Sequence, residues 1–221
     1  MSNYKIYVLS FLIIGILSIN LINAKTNDKP LMNKTIYIDP GHGGRDPGAI
    51  SKDIAEEHIN LAISLKLKDK LEALGAIVYL TRYGDYDLAV PYARDRKRSD
   101  LSRRVNVINK SNCDLYLSIH LNADTSSAWR GGQVFYDDIN EENKKVAKIL
   151  QQELKKYLGT RRKIQEMTDM YIHRRVDRPG VLVEVGFISN PGERYALTRN
   201  YYQEKVAKVI TGGVVKYFTG K

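Results

Sequence analysis

The spacing of apolar and polar positions predicts a chain in which strands and helices alternate. Short apolar runs rich in β-branched residues predict strands at positions 36–38, 77–81, 114–120, 132–136 and 181–185, with a further short strand at 170–172. Apolar residues at helical spacing predict helices at 54–74, 102–110, 141–157 and 202–218. This alternation is typical of an α/β fold with a mostly parallel mixed sheet flanked by helices on both faces.

The pattern differs at the N-terminus, where Lys5 precedes an apolar run at positions 6–19. This run is shorter than the ~20 residues of a spanning helix and resembles the core of an export signal. We therefore expect residues 1–24 to be a signal peptide or an N-terminal membrane anchor, and the sequence leaves both alternatives open. Residues 25–33 are expected to form a short linker and residues 34–219 a single domain. That domain would be exported across the cytoplasmic membrane and either secreted or anchored on its outer face.

The charge and the cysteine content of the chain limit the kinds of binding partner and of stabilising bond that we expect. The chain carries 35 Lys and Arg against 25 Asp and Glu, which gives a formal net charge of +10. The basic clusters at 94–98 and 161–163 lack the interleaved aromatic residues of a nucleic-acid surface. We expect them to form a solvated face that meets anionic wall polymers, with no nucleic acid as partner and with membrane contact only through the N-terminal segment. Cys113 is the single cysteine, so the core or a bound metal, not an internal disulfide, must stabilise the fold.

Two histidines follow predicted strands in the same way. His42 lies in the glycine-rich turn Asp39-Pro-Gly-His-Gly-Gly44, directly after the first strand, and His120 ends the strand at 114–120. If these strands are parallel, both imidazoles emerge at the carboxyl edge of the sheet, where α/β folds bind their ligands. Two histidines with matched placement indicate a metal site.

Glu184 lies in an apolar run that otherwise suits a completely buried strand. An ionised carboxylate without a partner is costly there, so either an arginine or a cation must compensate it. Arg82 or Arg103 could provide the arginine. We favour the alternative in which this carboxylate faces a metal-bound water and takes and returns its proton.

A third metal ligand is expected near the start of the first helix, which follows the glycine turn. Glu56, Glu57 and His58 are the candidates there. Neighbouring helical residues point about 100° apart, so only one of them can face the metal well. The residues alone do not separate Glu56 from His58.

Four motifs carry a resemblance to a known family. They are Asp39-Pro-Gly-His-Gly-Gly44, Glu56-Glu-His-Ile-Asn-Leu61, Ser118-Ile-His-Leu-Asn-Ala123 and Glu184-Val-Gly-Phe-Ile-Ser-Asn190. In this order and at this spacing the chain resembles the zinc-dependent N-acetylmuramoyl-L-alanine amidases. The resemblance implies a zinc metalloamidase that hydrolyses the amide between the lactyl group of N-acetylmuramic acid and L-alanine in peptidoglycan.

The resemblance also assigns residues to roles. It implies one Zn²⁺ per chain bound by His42, Glu56 and His120, with Glu184 as the catalytic carboxylate. Asn122 and His58 are candidates for supporting the metal ligands or contacting substrate.

Three further stretches resemble the spore-cortex, germination-related amidases: Asp100-Leu-Ser-Arg-Arg-Val-Asn-Val-Ile-Asn109, residues 115–123 and Asn143-Lys-Lys-Val-Ala-Lys148. This implies a role in cortex maturation leading to muramic-δ-lactam, in the cortex-forming compartment of a developing spore. The segment between His120 and Glu184 leaves no long insertion to plug the site, so we expect a regulatory or activating protein partner. Two alternatives remain: a non-catalytic wall-binding module of the same fold, and a metal hydrolase of another amide bond in peptidoglycan.

Overall fold

A six-stranded sheet organises residues 29–220, the part of the chain that the computed structural model describes. The predicted signal peptide or anchor at 1–24 lies outside these residues. The strands in chain order are β1 (Thr35–Pro40), β2 (Ile50–Ser51), β3 (Ile54–Ala55), β4 (Ile77–Leu80), β5 (Leu115–Asn122), β6 (Gln133–Tyr136), β7 (Gln165–Glu166) and β8 (Gly180–Phe187). The sheet has the order β4-β1-β5-β8-β6-β7, and β2 and β3 form a separate hairpin. Only the β6–β8 pair in this sheet is antiparallel, which confirms the predicted mostly parallel mixed sheet.

Helices cover both faces of the sheet, as the alternating pattern predicts. They are α1 (Glu56–Ala73), α2 (Arg96–Lys110), α3 (Glu141–Leu158), α4 (Pro191–Leu197) and α5 (Asn200–Thr219). The larger hydrophobic core lies between the sheet and α1, α3 and α5. A smaller core on the opposite face joins α2 to residues 172 and 176. Within the described residues, no helix has an apolar stretch of the length and hydropathy needed to span a bilayer.

Side chains of β5 alternate between the two faces of the sheet, and the polar ones point towards the face that α2 covers. Leu115, Leu117 and Ile119 point into the larger core, while Tyr116 belongs to the smaller core on the other side. Because side chains alternate along a strand, His120 shares the face of Tyr116. His120 therefore emerges at the carboxyl end of β5, on the side of the sheet that α2 covers.

Two local predictions are wrong, and one short helix was not predicted. α2 begins at Arg96, six residues earlier than predicted, because Asp95 caps it by accepting a hydrogen bond from the backbone N–H of Arg98 at 2.9 Å. Residues 170–172 form no strand, since the chain turns at 171–175 and the N–H of Arg174 bonds back to Met170. The short helix α4 was not predicted, although its N-terminus shows an Asn cap followed by proline.

The predicted linker also contributes to the domain. Leu31 is fully buried and belongs to the larger core. Its backbone N–H bonds to the carbonyl of Leu74 just after α1. The end of the segment at 25–33 therefore packs against the helix that carries the candidate metal ligand.

Candidate functional site

The structure brings His42, Glu56 and His120 together at the carboxyl ends of β1 and β5. His42 Nε2 lies 3.3 Å from Glu56 Oε2, and His120 Nδ1 lies 3.0 Å from Glu56 Oε1. The two imidazoles meet edge to face, with 4.8 Å between ring centroids. All three residues offer a ligand atom within 4.8 Å of the others. Two imidazoles and one carboxylate are the donors that catalytic zinc sites use.

The turn that carries His42 is held by two buried arginines. His42 has a φ of 63°, a left-handed conformation that residues other than glycine seldom adopt. Arg82 donates to the carbonyls of Pro40 and Gly41 at 3.0 and 2.9 Å. Arg104 donates to the carbonyls of Pro40 and His42 at 2.8 and 2.6 Å. These four bonds fix the unusual backbone, and with it the direction of the His42 imidazole.

Two glycines make room for the side chains of this cluster. A Cβ at Gly41 would lie 2.2 Å from Nε2 of His120, so any larger residue collides with the imidazole. A Cβ at Gly48, where φ is 69°, would lie 2.7 Å from Glu56 Oε2 and 2.7 Å from the His42 ring. The chain therefore needs glycine at both positions for His42, Glu56 and His120 to meet.

Glu56 is the acceptor at the centre of this cluster. Its Oε1 accepts from the backbone N–H of Leu121 at 2.9 Å and from Nδ2 of Asn60 at 3.0 Å, and its Oε2 accepts from the N–H of Ala49 at 3.0 Å. Burial alone would raise the pKa of Glu56, but hydrogen bonds from His120 and then His42 hold it far below its usual range. The carboxylate is therefore ionised and fixed in direction. Asn60 went unnoticed in the sequence, although its position one helical turn after Glu56 is a usable signal.

Asp46 orients His42 from the other side. Its Oδ2 lies 3.1 Å from Nδ1 of His42, which leaves Nε2 directed at Glu56. Burial lowers the pKa of His42, but the bonds to Glu56 and Asp46 outweigh burial and the net effect is a raised pKa. A carboxylate behind an imidazole is a common support for a metal-binding histidine. Asp46 follows His42 by four residues, and no residue pattern predicts this contact.

Glu184 lies beside the cluster, on β8. Its Cα is paired with that of His120 on β5. The side chain is partly exposed, yet its Oε2 is buried and has no hydrogen-bond partner within residues 29–220. Burial, and secondarily the nearby Glu56 carboxylate, raises the pKa of Glu184 to about 8.

No arginine compensates Glu184 in the described part of the chain. The Arg82 guanidinium already donates hydrogen bonds to backbone carbonyls, including that of Glu57 at 2.8 Å. Arg103 is exposed on α2. The alternative of an arginine partner is therefore wrong, and the carboxylate has a free oxygen beside the cluster.

The other two candidates, His58 and Asn122, lie outside the cluster, and so does His173, the fourth histidine of the chain. The His58 side chain is 64% exposed and its Nε2 lies 3.7 Å from Glu57, so the structure brings Glu56 and not His58 to the two histidines. Asn122 is half-buried, and its backbone carbonyl accepts from the N–H of Ile188. His173 is buried with its Nδ1 2.5 Å from the Tyr116 hydroxyl, and burial lowers its pKa to about 4. His173 is thus a neutral side chain of the smaller core.

Comparisons with known proteins match nearly the whole described chain. Residues 36–216 match the sequence model of a family described as N-acetylmuramoyl-L-alanine amidase. The chain is 46% identical over 197 residues to the germination-specific N-acetylmuramoyl-L-alanine amidase of Bacillus subtilis (strain 168), an alignment that covers 87% of this chain and 83% of that protein.

Solved amidase structures also resemble the chain in fold. The CwlD amidase from Clostridioides difficile, in complex with the GerS lipoprotein, superposes with a TM-score of 0.81 and 40% identity, covering 86% of this chain and 100% of that one. An N-acetylmuramoyl-L-alanine amidase from Clostridium difficile 630 superposes with a TM-score of 0.76 and 30% identity, covering 85% and 98%.

Proposed function

The chain belongs to the N-acetylmuramoyl-L-alanine amidase family, and we propose that it hydrolyses the amide between the lactyl group of N-acetylmuramic acid and L-alanine in peptidoglycan. The observation that carries the proposal is the unpartnered Glu184 oxygen beside the cluster of His42, Glu56 and His120. Such a carboxylate is costly to keep in a fold unless it acts on a ligand.

The donor set fits one Zn²⁺ per chain, held by His42, Glu56 and His120. The donors are two imidazoles and a carboxylate whose ligand atoms already lie within 4.8 Å of one another. Asp46 holds the far nitrogen of His42, and Asn60 with two backbone N–H groups holds Glu56. Zinc, when bound, polarises the scissile carbonyl and lowers the pKa of water to about 7.

Glu184 is the residue that moves the proton. Its Oε2 accepts a proton from the attacking water and returns it to the departing nitrogen of L-alanine. Burial raises the pKa of Glu184 in the metal-free chain, and a bound cation would favour its ionised form, so that the carboxylate could both accept and release the proton. Asn122, at the end of the strand that carries His120, is a candidate for substrate contact.

The biological setting is proposed from the relatives. A relative 46% identical is named a germination-specific amidase, and this supports a role in spore cortex maturation that leads to muramic-δ-lactam. The exported or anchored state expected from residues 1–24 suits a cortex-forming compartment outside the cytoplasmic membrane. The CwlD relative is in complex with a lipoprotein, which supports a regulatory or activating protein partner for this chain.

Fragment analysis tests the reaction. Purified protein with zinc is incubated with peptidoglycan, and the released peptides are examined by mass spectrometry. We expect peptides that begin with L-alanine. Peptides with another N-terminus, or released acetate, would favour hydrolysis of a different amide bond, and absence of both zinc and cleavage would favour a wall-binding module.

Two variants test the role of Glu184 under the same conditions. Glu184→Ala should abolish turnover while binding zinc in the same ratio as the wild type. Glu141 is an exposed glutamate at the start of α3, and Glu141→Ala should keep both turnover and zinc binding. Full activity of Glu184→Ala would exclude the proposed proton transfer. Digestion of cortex peptidoglycan at full rate by the purified chain alone would exclude the need for a partner.

A further inference from the structure

A stack of three side chains extends into solvent from the carboxyl end of β8, at the edge of the sheet that carries the candidate site. The Arg162 guanidinium lies over the ring of Phe187, with 4.4 Å to its centroid, and over the ring of Trp129, with 5.2 Å to its centroid. Phe187 is 2% exposed and Trp129 is 53% exposed. We call Phe187, Arg162 and Trp129 the Trp129 platform, since its outermost layer is the indole ring.

Arg162 supports the platform and is not free to bind a ligand strongly. Its Nε donates to the carbonyl of Arg130 at 3.1 Å, and its Nη1 donates to Oε1 of Gln133 at 2.8 Å. A planar guanidinium held in this way stacks well on aromatic faces. The basic cluster at 161–163, expected to be a solvated face, therefore contains one arginine with a structural partner on each side.

A bulge places the platform on the catalytic face of the sheet. His120 pairs with Glu184, but Asn122 pairs with Phe187, so β8 has one more residue than β5 in this interval. Paired residues of neighbouring strands point to the same face, and His120 and Asn122 share a face because they are two residues apart. Phe187 thus points to the same side as Glu184, whereas an unbulged strand would send it into the larger core.

The loop that carries Trp129 is tied to the end of β8. Glu193 accepts from the N–H of Gly131 at 2.9 Å through Oε1 and from the N–H of Phe187 at 2.8 Å through Oε2. Asn190 Nδ2 donates to the carbonyl of Ser127 at 2.8 Å. These bonds hold Trp129 in a fixed position relative to Glu184, three residues before Phe187, so little ordering is needed when a ligand binds.

The surroundings of the indole add positive charge. The groove beside Trp129 has a volume of about 800 Å³ and includes Arg130 and Arg161, both exposed. Glu193 is the one acidic side chain in the described lining, and its carboxylate already accepts hydrogen bonds from backbone N–H groups. An exposed ring face suits the apolar C–H face of a sugar, and free guanidinium groups suit carboxylates.

Resting on the proposed amidase function, we propose that the Trp129 platform is a subsite for the glycan strand. A sugar ring next to the muramic acid that is being cut stacks on the free face of Trp129. Arg130 and Arg161 bind the lactyl carboxylates of neighbouring muramic acid units that carry no stem peptide. The subsite makes the enzyme prefer long strands over a single muramoyl peptide.

Trp129 is the only tryptophan of the chain, so its fluorescence reports on this subsite directly. Glu184→Gln protein is titrated with glycan strands stripped of peptides and, separately, with the free stem peptide. We expect the emission to change with glycan and to stay constant with peptide. No change with glycan, or a change with peptide alone, would overturn the proposal. This readout needs no hydrolysis, so it stands apart from a failure of the amidase assignment.

Kinetics of Trp129→Ala supply the second test, with two substrates that share one stem peptide. On strands of several disaccharides we expect kcat/KM to fall about tenfold, mainly through KM, in proportion to the lost apolar contact. On a single N-acetylmuramoyl peptide the change should stay within about twofold. Tyr201→Ala, an aromatic residue 67% exposed on α5, is the matched control and should change neither value.

The same comparison can contradict the subsite. Equal losses on both substrates would show that Trp129 only supports the fold, and no loss on either would show that the ring contacts no substrate. A defect that appears only when a lipoprotein partner is added would assign the platform to a protein interface. Each of these results overturns the glycan subsite.

Discussion

Asp39 and Arg104 form an ion pair with 2.8 Å between Oδ1 and Nη1, and neither side chain is more than 1% exposed. Asp39 lies near the end of β1 and Arg104 on α2, so the pair joins the helix to the sheet. The same guanidinium bonds the carbonyls of Pro40 and His42. One buried arginine therefore pairs with the Asp39 carboxylate and also holds the backbone of the turn that carries His42.

Arg104→Met should destabilise the protein by about 3–5 kcal/mol, because it leaves the Asp39 carboxylate buried with only two hydroxyl donors. Those donors are Thr81 and Ser118. Urea unfolding measures the loss. Arg103→Met, on the exposed side of the same helix, should stay within about 0.5 kcal/mol of the wild type. Equal stability of the two variants would show that the buried pair contributes nothing.

His42→Ala should weaken zinc binding as well as lower the rate of hydrolysis. Removing one of three protein donors should weaken zinc affinity by more than about 100-fold, beyond the usual cost of losing a supporting partner. Competition with a chelator measures the affinity. His58→Ala is the matched control, since its side chain is 64% exposed and lies outside the cluster. Unchanged zinc affinity in His42→Ala would remove His42 from the ligand set.

Gly41→Ala tests the close packing of His120 on the turn. The added Cβ would lie 2.2 Å from the imidazole, so either the ring or the turn must move. We expect weaker zinc binding and a stability loss of about 1–3 kcal/mol. Gly212→Ala, within α5, meets only Glu153 Oε2 at 3.5 Å and should stabilise the helix by about 0.5–1 kcal/mol. Zinc affinity equal to that of the wild type in Gly41→Ala would show that the imidazole is free to shift.

The sequence predicted the part of the site that depends on sheet topology. His42 and His120 each follow an apolar strand, and the edge rule for parallel strands brings them together. Glu56 could not be separated from His58 by helical geometry, because the direction of the helix relative to the sheet is a tertiary property. The structure resolves this by tying the Glu56 carboxylate to the N–H of Leu121 on β5.

Charged residues account for most of what the sequence did not reveal. The residue pattern offers Arg82 only as a possible partner of Glu184 and predicts no role for Arg104, yet both are fully buried because backbone carbonyls of a tight turn surround them. Arg162 lies in a basic cluster whose neighbours are exposed, and its stacking depends on a bulge in β8 that no residue pattern indicates. Such contacts join residues far apart in sequence and leave no local periodicity.

The raised pKa of Glu184 predicts how the metal-free protein responds to pH. The folded chain keeps a proton on this carboxyl up to about pH 8, whereas the unfolded chain releases it near the ordinary pKa of about 4.5. Because the folded state binds more protons between these values, this group makes stability fall as pH rises from about 4.5 to 8 and stay level above. Glu184→Gln cannot ionise and should remove that part of the slope.

Unfolding by urea in the presence of a chelator, at pH 5 and at pH 8.5, measures the difference between wild type and Glu184→Gln. The quantity compared is the unfolding free energy of the variant minus that of the wild type. Between pH 5 and pH 8.5 we expect this difference to change by about 1–3 kcal/mol in favour of the variant. This range is smaller than the full pKa shift implies, because the Glu184 side chain is partly exposed to solvent. Glu141→Gln, an exposed glutamate, should show no such change. Zinc should abolish the advantage of the variant, since a nearby cation favours the ionised carboxylate. A difference that stays constant between the two pH values would show that Glu184 ionises at its ordinary pKa.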